Sequence, residues 1–160
     1  MNSEDQLRLE KAIKDKLIIR KEVLKLKSKK NLDDLFRAEH DLAFKKRDCL
    51  ACANCCKTTS PIFRDTDVKR IAKHLRVKES QFIASYLKMD DENDLVLKTA
   101  PCTFLSDDNT CSIYEYRPLA CREYPHTNRK NMYQILALTA VNTQICPAVA
   151  QIVEKLCPTK

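Results

Sequence analysis

The chain runs for 160 residues without a single glycine. Average usage of about 7% would give roughly eleven. Glycine is the residue that enters φ > 0 without a Cβ penalty, so its absence narrows the available turns. Left-handed positions must fall to Asn and Asp, which tolerate them best, and Asn54 and Asp107-Asp108-Asn109 are the natural candidates. A Gly-rich phosphate cradle and a dinucleotide fingerprint both need backbone that closes on its ligand without a Cβ. Both are excluded, and nucleotide-driven chemistry of those kinds goes with them.

Against that background the chain carries nine cysteines, four of them in one run, Cys49-Leu-Ala-Cys52-Ala-Asn-Cys55-Cys56. The others are Cys102, Cys111, Cys121, Cys146 and Cys157. An x2 loop is just long enough to turn two thiolates toward one centre, with its backbone N–H groups stabilising the sulfur charge. A lone cysteine is often a small buried hydrophobe, but that account does not explain a cluster. Three prolines adjoin cysteines, in Pro101-Cys102, Cys146-Pro147 and Cys157-Pro158, and stiffen the chain where a ligand is presented. Nothing near the N-terminus resembles a secretory or transmembrane segment. An odd number of thiols in an unexported chain reads as a reduced, cytoplasmic set rather than a disulfide framework.

The predicted architecture is α+β, mainly α, with one short β-hairpin. Residues 4–27 read as one helix with Leu9, Ile13, Leu17 and Leu24 on its apolar face. Asn31 is placed as the N-cap of a second helix reaching about Lys45, with Asp33 and Asp34 in its first turn. Further helices are expected from Asp65 or Thr66 through Leu75, around Phe82–Leu87, and over Leu119–Glu123, Met132–Asn142 and Pro147–Leu156. Leu95–Lys98 and Cys111–Tyr114 read as short strands, and 90–94 as a solvated acidic loop. The formal charge of +7 is concentrated between Arg8 and Lys30, where ten Lys/Arg face three Asp/Glu. This divides the chain into a basic amphipathic helical arm, 1–47, and a small cysteine-cluster metal-binding domain, 48–160.

Adjacent Cys55 and Cys56 diverge by about 100° on a helix and more in a strand, so one mononuclear tetrahedron suits both poorly. Two sites or one polynuclear cluster fit better. In the two-site case Cys55 goes with Cys49 and Cys52. Zinc accepts almost any thiolate spacing, whereas three cysteines at x2 intervals with a remote Cys-Pro match ferredoxin-type iron–sulfur ligation. The metal stays open between zinc and iron. His126, five residues after Cys121, reads as a surface or capping histidine before a ligand, and His40 and His74 as ordinary helix residues. Arg117, Arg122 and Tyr124 flank Cys121 and can offset thiolate charge or donate to sulfur, while Tyr114, Tyr116 and Tyr124 can equally be core.

The ordered set Cys49-x2-Cys52-x2-Cys55-Cys56, Pro101-Cys102-Thr-Phe104-Leu105, Cys111-Ser-Ile113-Tyr114-Glu115, Arg117-Pro118-x2-Cys121-Arg122-x-Tyr124-Pro125 and Cys146-Pro147 closely resembles the YkgJ-like cysteine-cluster family. These are bacterial proteins described as zinc- or iron-chelating, or as iron–sulfur-cluster proteins. The resemblance implies a metal cofactor held by Cys49, Cys52, Cys55, Cys56, Cys102, Cys111, Cys121 and Cys146. Cys157 lies outside the pattern. The family's knuckle often has Gly directly after its second cysteine, where Ala53 stands here, so Asn54 is expected to supply any left-handed residue. A related cysteine arrangement in flagellin lysine methylases makes methyl transfer one alternative.

The reading that follows is a metal-binding protein of the cytoplasm. Its partners are metal ions, with no membrane and no identified protein partner. A cluster-dependent methyl-transfer or oxidoreductase enzyme is the rival, but no acid–base pair or cosubstrate motif supports it. The basic arm offers a nucleic-acid adaptor as a third reading. It lacks aromatic residues for base stacking, and charged helix faces are ordinarily just solvated.

Overall fold

The computed structural model describes residues 1–45 and 47–158. It is mainly helical, with one two-stranded antiparallel sheet, and so is α+β. The chain divides into two compact units. The first is built from Met1–Cys52 with Pro125–Lys160, and the second is the continuous stretch Ala53–Tyr124.

In the first unit, α1 (Ser3–Lys14) and α2 (Lys16–Lys25) replace the single helix expected over 4–27. The break falls at Asp15, whose φ of −96° and ψ of 17° leave the helical region. The inward face also differs from the expected stripe. Leu9, Ala12, Val23 and Leu26 are buried, whereas Ile13, Leu17 and Leu24 are exposed, Leu17 to 76%. Ile19, Val23 and Leu26 form an equally regular i, i+4, i+7 stripe, and packing of α2 on α9 (Leu136–Asn142) selects it. α3 (Leu32–Phe44) packs on α10 (Pro147–Leu156), burying Phe36 against Met132, Val149 and Ile152. Full burial of a side chain like Phe36 contributes about 2–3 kcal/mol.

Asn31 does not act as a side-chain N-cap. It takes a left-handed conformation (φ 56°), and the Asp33 carboxylate in the next turn accepts the N–H groups of Asn131 and Met132. Pro147 at the first helical position starts α10, and Met132–Gln134 is a 3-10 turn rather than the first turn of α9. His40 is an ordinary helix residue as expected. Its Nδ1 lies 2.7 Å from Thr127 Oγ1 and its ring packs on Phe44.

The second unit begins with the short helix α5 (Asn54–Thr58), preceded in the first by α4 (Cys49–Cys52). α6 (Asp65–Leu75) and α7 (Glu79–Tyr86) lead into β1 (Leu87–Met89) and β2 (Leu95–Leu97), paired Leu87 to Leu97. The hairpin therefore closes around the acidic 90–94 loop. Cys111–Tyr114 is not its second strand, since Cys111 makes only an isolated bridge to Leu105 and a 3-10 turn follows at Tyr114–Tyr116. Phe63, Ile71, Phe82, Leu97, Phe104 and Ile113 form this unit's core. α8 (Leu119–Glu123) closes it.

Candidate metal centre

The knuckle turns at Ala53, not at Asn54. Ala53 takes φ 47° and ψ 16° between α4 and α5, so a residue with a Cβ occupies the left-handed position where Gly would be free of strain. The other described left-handed residues are Asn31, Arg76, Asn93, Asn109, His126 and Asn131. Four of those six are Asn, as a chain without glycine requires.

α5 carries Cys55 and Cys56 with their sulfurs 3.9 Å apart. Helical divergence of the Cβ bonds is thus recovered by the rotamers. Ligands of one tetrahedral ion with bonds of about 2.3 Å are separated by about 3.8 Å, so adjacency alone does not forbid a shared ion. Thr59 N–H and Oγ1 both bond the Cys55 carbonyl, tying off the C-terminus of α5.

Three further segments of the second unit converge on Cys56. Cys102 N–H donates to the Cys56 carbonyl at 2.8 Å, so the Pro101-Cys102 turn lies directly against α5. The Leu105–Cys111 bridge and the Ser112 N–H to Phe104 carbonyl bond (2.9 Å) bring Cys111 beside that turn. Cys121 sits in α8. Burial pushes the Cys121 thiol up to about 12, and the charges of Cys56, Cys102 and Cys111 push the same way while Arg117 opposes them. Burial likewise raises Cys102 and Cys111, and Cys56 raises each further. The backbone N–H groups of Phe104 and Leu105 favour the Cys102 thiolate, and that of Ile113 favours the Cys111 thiolate. Cys56 moves the opposite way, to about 7, chiefly through its hydrogen bond with Cys55, with Arg117 and Lys57 assisting against burial.

In the first unit, Cys146 is the N-cap of α10. Burial pushes its thiol up to about 11, the N–H groups of Val149 and Ala148 oppose that shift, and Cys49 and Cys52 reinforce it. Cys56, Cys102, Cys111, Cys121 and Cys146 thus each have N–H donors or a cation placed to stabilise the thiolate. Cys49 is exposed and the other cysteines are half-buried. Among the described residues, no three Cys, His, Asp or Glu side chains stand close enough as they are to hold an ion. The soft donor set and the N–H groups aimed at it fit a thiophilic ion, and closing on that ion requires the side chains to draw in.

The CxxCxxCC family model, whose description reads "putative zinc- or iron-chelating domain", matches residues 48–147. The chain belongs to the CxxCxxCC family. No curated protein and no solved structure matches it. The family description supports a general metal-binding role for the chain, and it leaves zinc and iron both open.

Cys157, outside the family span, caps the C-terminus of α10, and burial raises its thiol while the charges of Glu22, Lys29 and Lys25 also act on it. His74 stacks on Tyr116 at 3.9 Å, an ordinary packing role, and His126 occupies a left-handed turn. The guanidinium of Arg117 lies over the Tyr114 ring at 3.6 Å and favours the thiolates of Cys56, Cys111 and Cys121. Reading the sequence singled out Arg117 but passed over Asp67 and Arg70, which grip its segment. Asp67 is the third residue of α6, where a carboxylate reaches back to the N-cap, and an N-cap of Arg64 concealed that signal.

No described helix is long and apolar enough to cross a membrane.

Proposed function

We propose that the chain chelates zinc or iron through two thiolate sets, one containing Cys56, Cys102, Cys111 and Cys121 and the other containing Cys49, Cys52 and Cys146. Cys55 supplies the remaining thiol of the family's eight. The observation carrying this reading is the convergence of three chain segments on Cys56, with backbone N–H groups directed at the sulfurs. Four thiolates around one ion leave no open position for substrate, which is the pattern of a structural or storage site rather than a Lewis-acid catalyst. Metal binding then contributes directly to folding, because the unfolded chain has no preformed site. The cytoplasm suits this chemistry, since reduced thiols persist there.

An iron–sulfur centre has its own support. Cys146-Pro147 lies near Cys49 and Cys52, giving a run of x2-spaced cysteines with a remote Cys-Pro. Anaerobic purification, metal and sulfide analysis and a visible spectrum test both readings. Two zinc ions in a colourless protein support closed thiolate sites. A broad band near ~400 nm with stoichiometric sulfide supports iron–sulfur. A protein that retains no metal with all nine thiols freely titratable overturns both.

A further inference from the structure

We infer that Asp67 and Arg70 are positioning residues for Cys121, acting through the backbone of residues 116–119 and so setting how tightly the second unit's thiolate set closes on metal. This rests on the proposed Cys56–Cys102–Cys111–Cys121 set. Asp67 is 1% exposed, and a carboxylate that deeply buried must have its oxygens satisfied. One oxygen takes the Arg64 N–H at 3.1 Å, closing the first turn of α6. The other accepts both Arg70 Nη2 and, 52 residues along the chain, the Leu119 N–H at 3.2 Å.

Leu119 is the first residue of α8, so a side chain of α6 satisfies one of the N–H groups left open at the start of the helix bearing Cys121. Arg70 grips the same segment from the carbonyl side, donating to Arg117 O at 3.0 Å and Tyr116 O at 3.3 Å. One turn further along α6, His74 stacks on Tyr116. Residues 67, 70 and 74 share one helix face, and that face holds the approach to Cys121.

α8 is only five residues long and cannot hold its own orientation by helix propagation. Its first turn is instead referenced to α6, an eleven-residue helix packed into the core through Val68 and Ile71. Arg117, whose charge favours three of the four thiolates, is held by its own carbonyl in the same grip. Asp67 touches no sulfur. It acts by fixing where Cys121 starts and where the Arg117 cation sits, as outer residues do around metal ligands generally.

Cobalt(II) titration of the reduced full-length protein, competed with a chelator, tests this. Thiolate-to-cobalt charge-transfer absorbance reports occupancy, and the ligand-field bands report geometry. Asp67→Asn keeps the shape and an acceptor for Leu119 but loses the charge facing Arg70. Arg70→Lys keeps charge but loses the fork. Both are expected to weaken the set that Cys121→Ser abolishes by about tenfold to a hundredfold, with altered ligand-field bands, while the set that Cys146→Ser abolishes keeps its affinity. Phe82→Leu, a core change away from residues 116–119, provides the comparison at matched loss of thermal stability. Affinity in both variants equal to that of wild type, or weakened no more than in Phe82→Leu, overturns the inference. Should Asp67→Asn fail to fold, Arg70→Lys decides by the same criterion. A wild-type protein that binds no cobalt, or a Cys121→Ser protein that binds it fully, overturns the underlying ligand set instead.

Discussion

Replacing Ala53 by Gly tests whether the knuckle turns where the structure has it turn. Three effects compete. Relief of the Cβ clash at φ 47° favours Gly by about 1–2 kcal/mol. The greater freedom of Gly in the unfolded chain takes back about 0.5–1 kcal/mol. Loss of a methyl group that is only 4% exposed costs about 0.8 kcal/mol more. The sum is near zero, within about 0.8 kcal/mol either way. Ala72 gives an internal control in the same unit, buried to 1% exposure in the interior of α6. Ala72→Gly suffers the last two losses without the relief, so it should cost about 1.3–1.8 kcal/mol. The two variants should therefore differ by about 1–2 kcal/mol, a few degrees in Tm for a chain of this size. Thermal unfolding of both, followed by circular dichroism with reductant and a fixed excess of zinc, measures the gap. Equal losses would mean that Ala53 lies in ordinary right-handed backbone, and that the account of the missing glycine is wrong.

Cys157→Ser should retain full metal, measured by elemental analysis, because Cys157 lies at the far end of α10 with Glu22, Lys25 and Lys29 as its charged neighbours; stoichiometric loss would refute the eight-cysteine assignment. Cys56→Ser should empty the set containing Cys102, Cys111 and Cys121, whereas Cys55→Ser should leave that set filled. Identical losses from the two variants would mean that the 3.9 Å sulfur pair shares one ion or cluster. Metal entry into this set should also release protons. Cys102, Cys111 and Cys121 are raised above the ordinary thiol value and are protonated at pH 7, while the hydrogen bond with Cys55 lowers Cys56 to about 7. About three to four protons per ion should appear in a weakly buffered indicator titration at pH 7, and affinity should fall as pH falls. A release below one proton would refute the thiolate assignment.

Proline made parts of the fold legible in advance. Pro147 began α10 and Pro118 preceded α8 where the sequence placed them, because Pro is tolerated only at helix starts. The N-terminal helix was harder to read. Leu9-Ile13-Leu17 and Ile19-Val23-Leu26 both have helical spacing, and only contact with α9, more than a hundred residues away, decides which is buried. The partner of Leu95–Leu97 was likewise a long-range choice between two short apolar runs, and the nearer one won across a five-residue acidic loop. The cysteines stand out in the sequence by spacing and family resemblance. The grouping proposed for them rests on the Cys102 N–H reaching the Cys56 carbonyl and on Asp67 reaching Leu119, contacts spanning 46 and 52 residues that no local pattern signals. Ala53 was misjudged because propensity favoured its neighbour Asn54, whereas the left-handed residue is Ala53 itself.

The division of the chain has a consequence in time. Ala53–Tyr124 is continuous, so all of its thiols have left the ribosome once residue 124 has emerged. The first unit is split, and Met1–Cys52 cannot complete its packing until α10 has been made, more than twenty residues later. At about 5–20 residues per second, synthesis separates the two events by a second or more. On the proposed ligand sets, Cys49 and Cys52 would wait as solvent-exposed thiols after Cys56, Cys102, Cys111 and Cys121 have all emerged. The nascent chain would then fill its inserted unit first, and when metal is scarce the pair upstream of the insertion would be the one left open to oxidation.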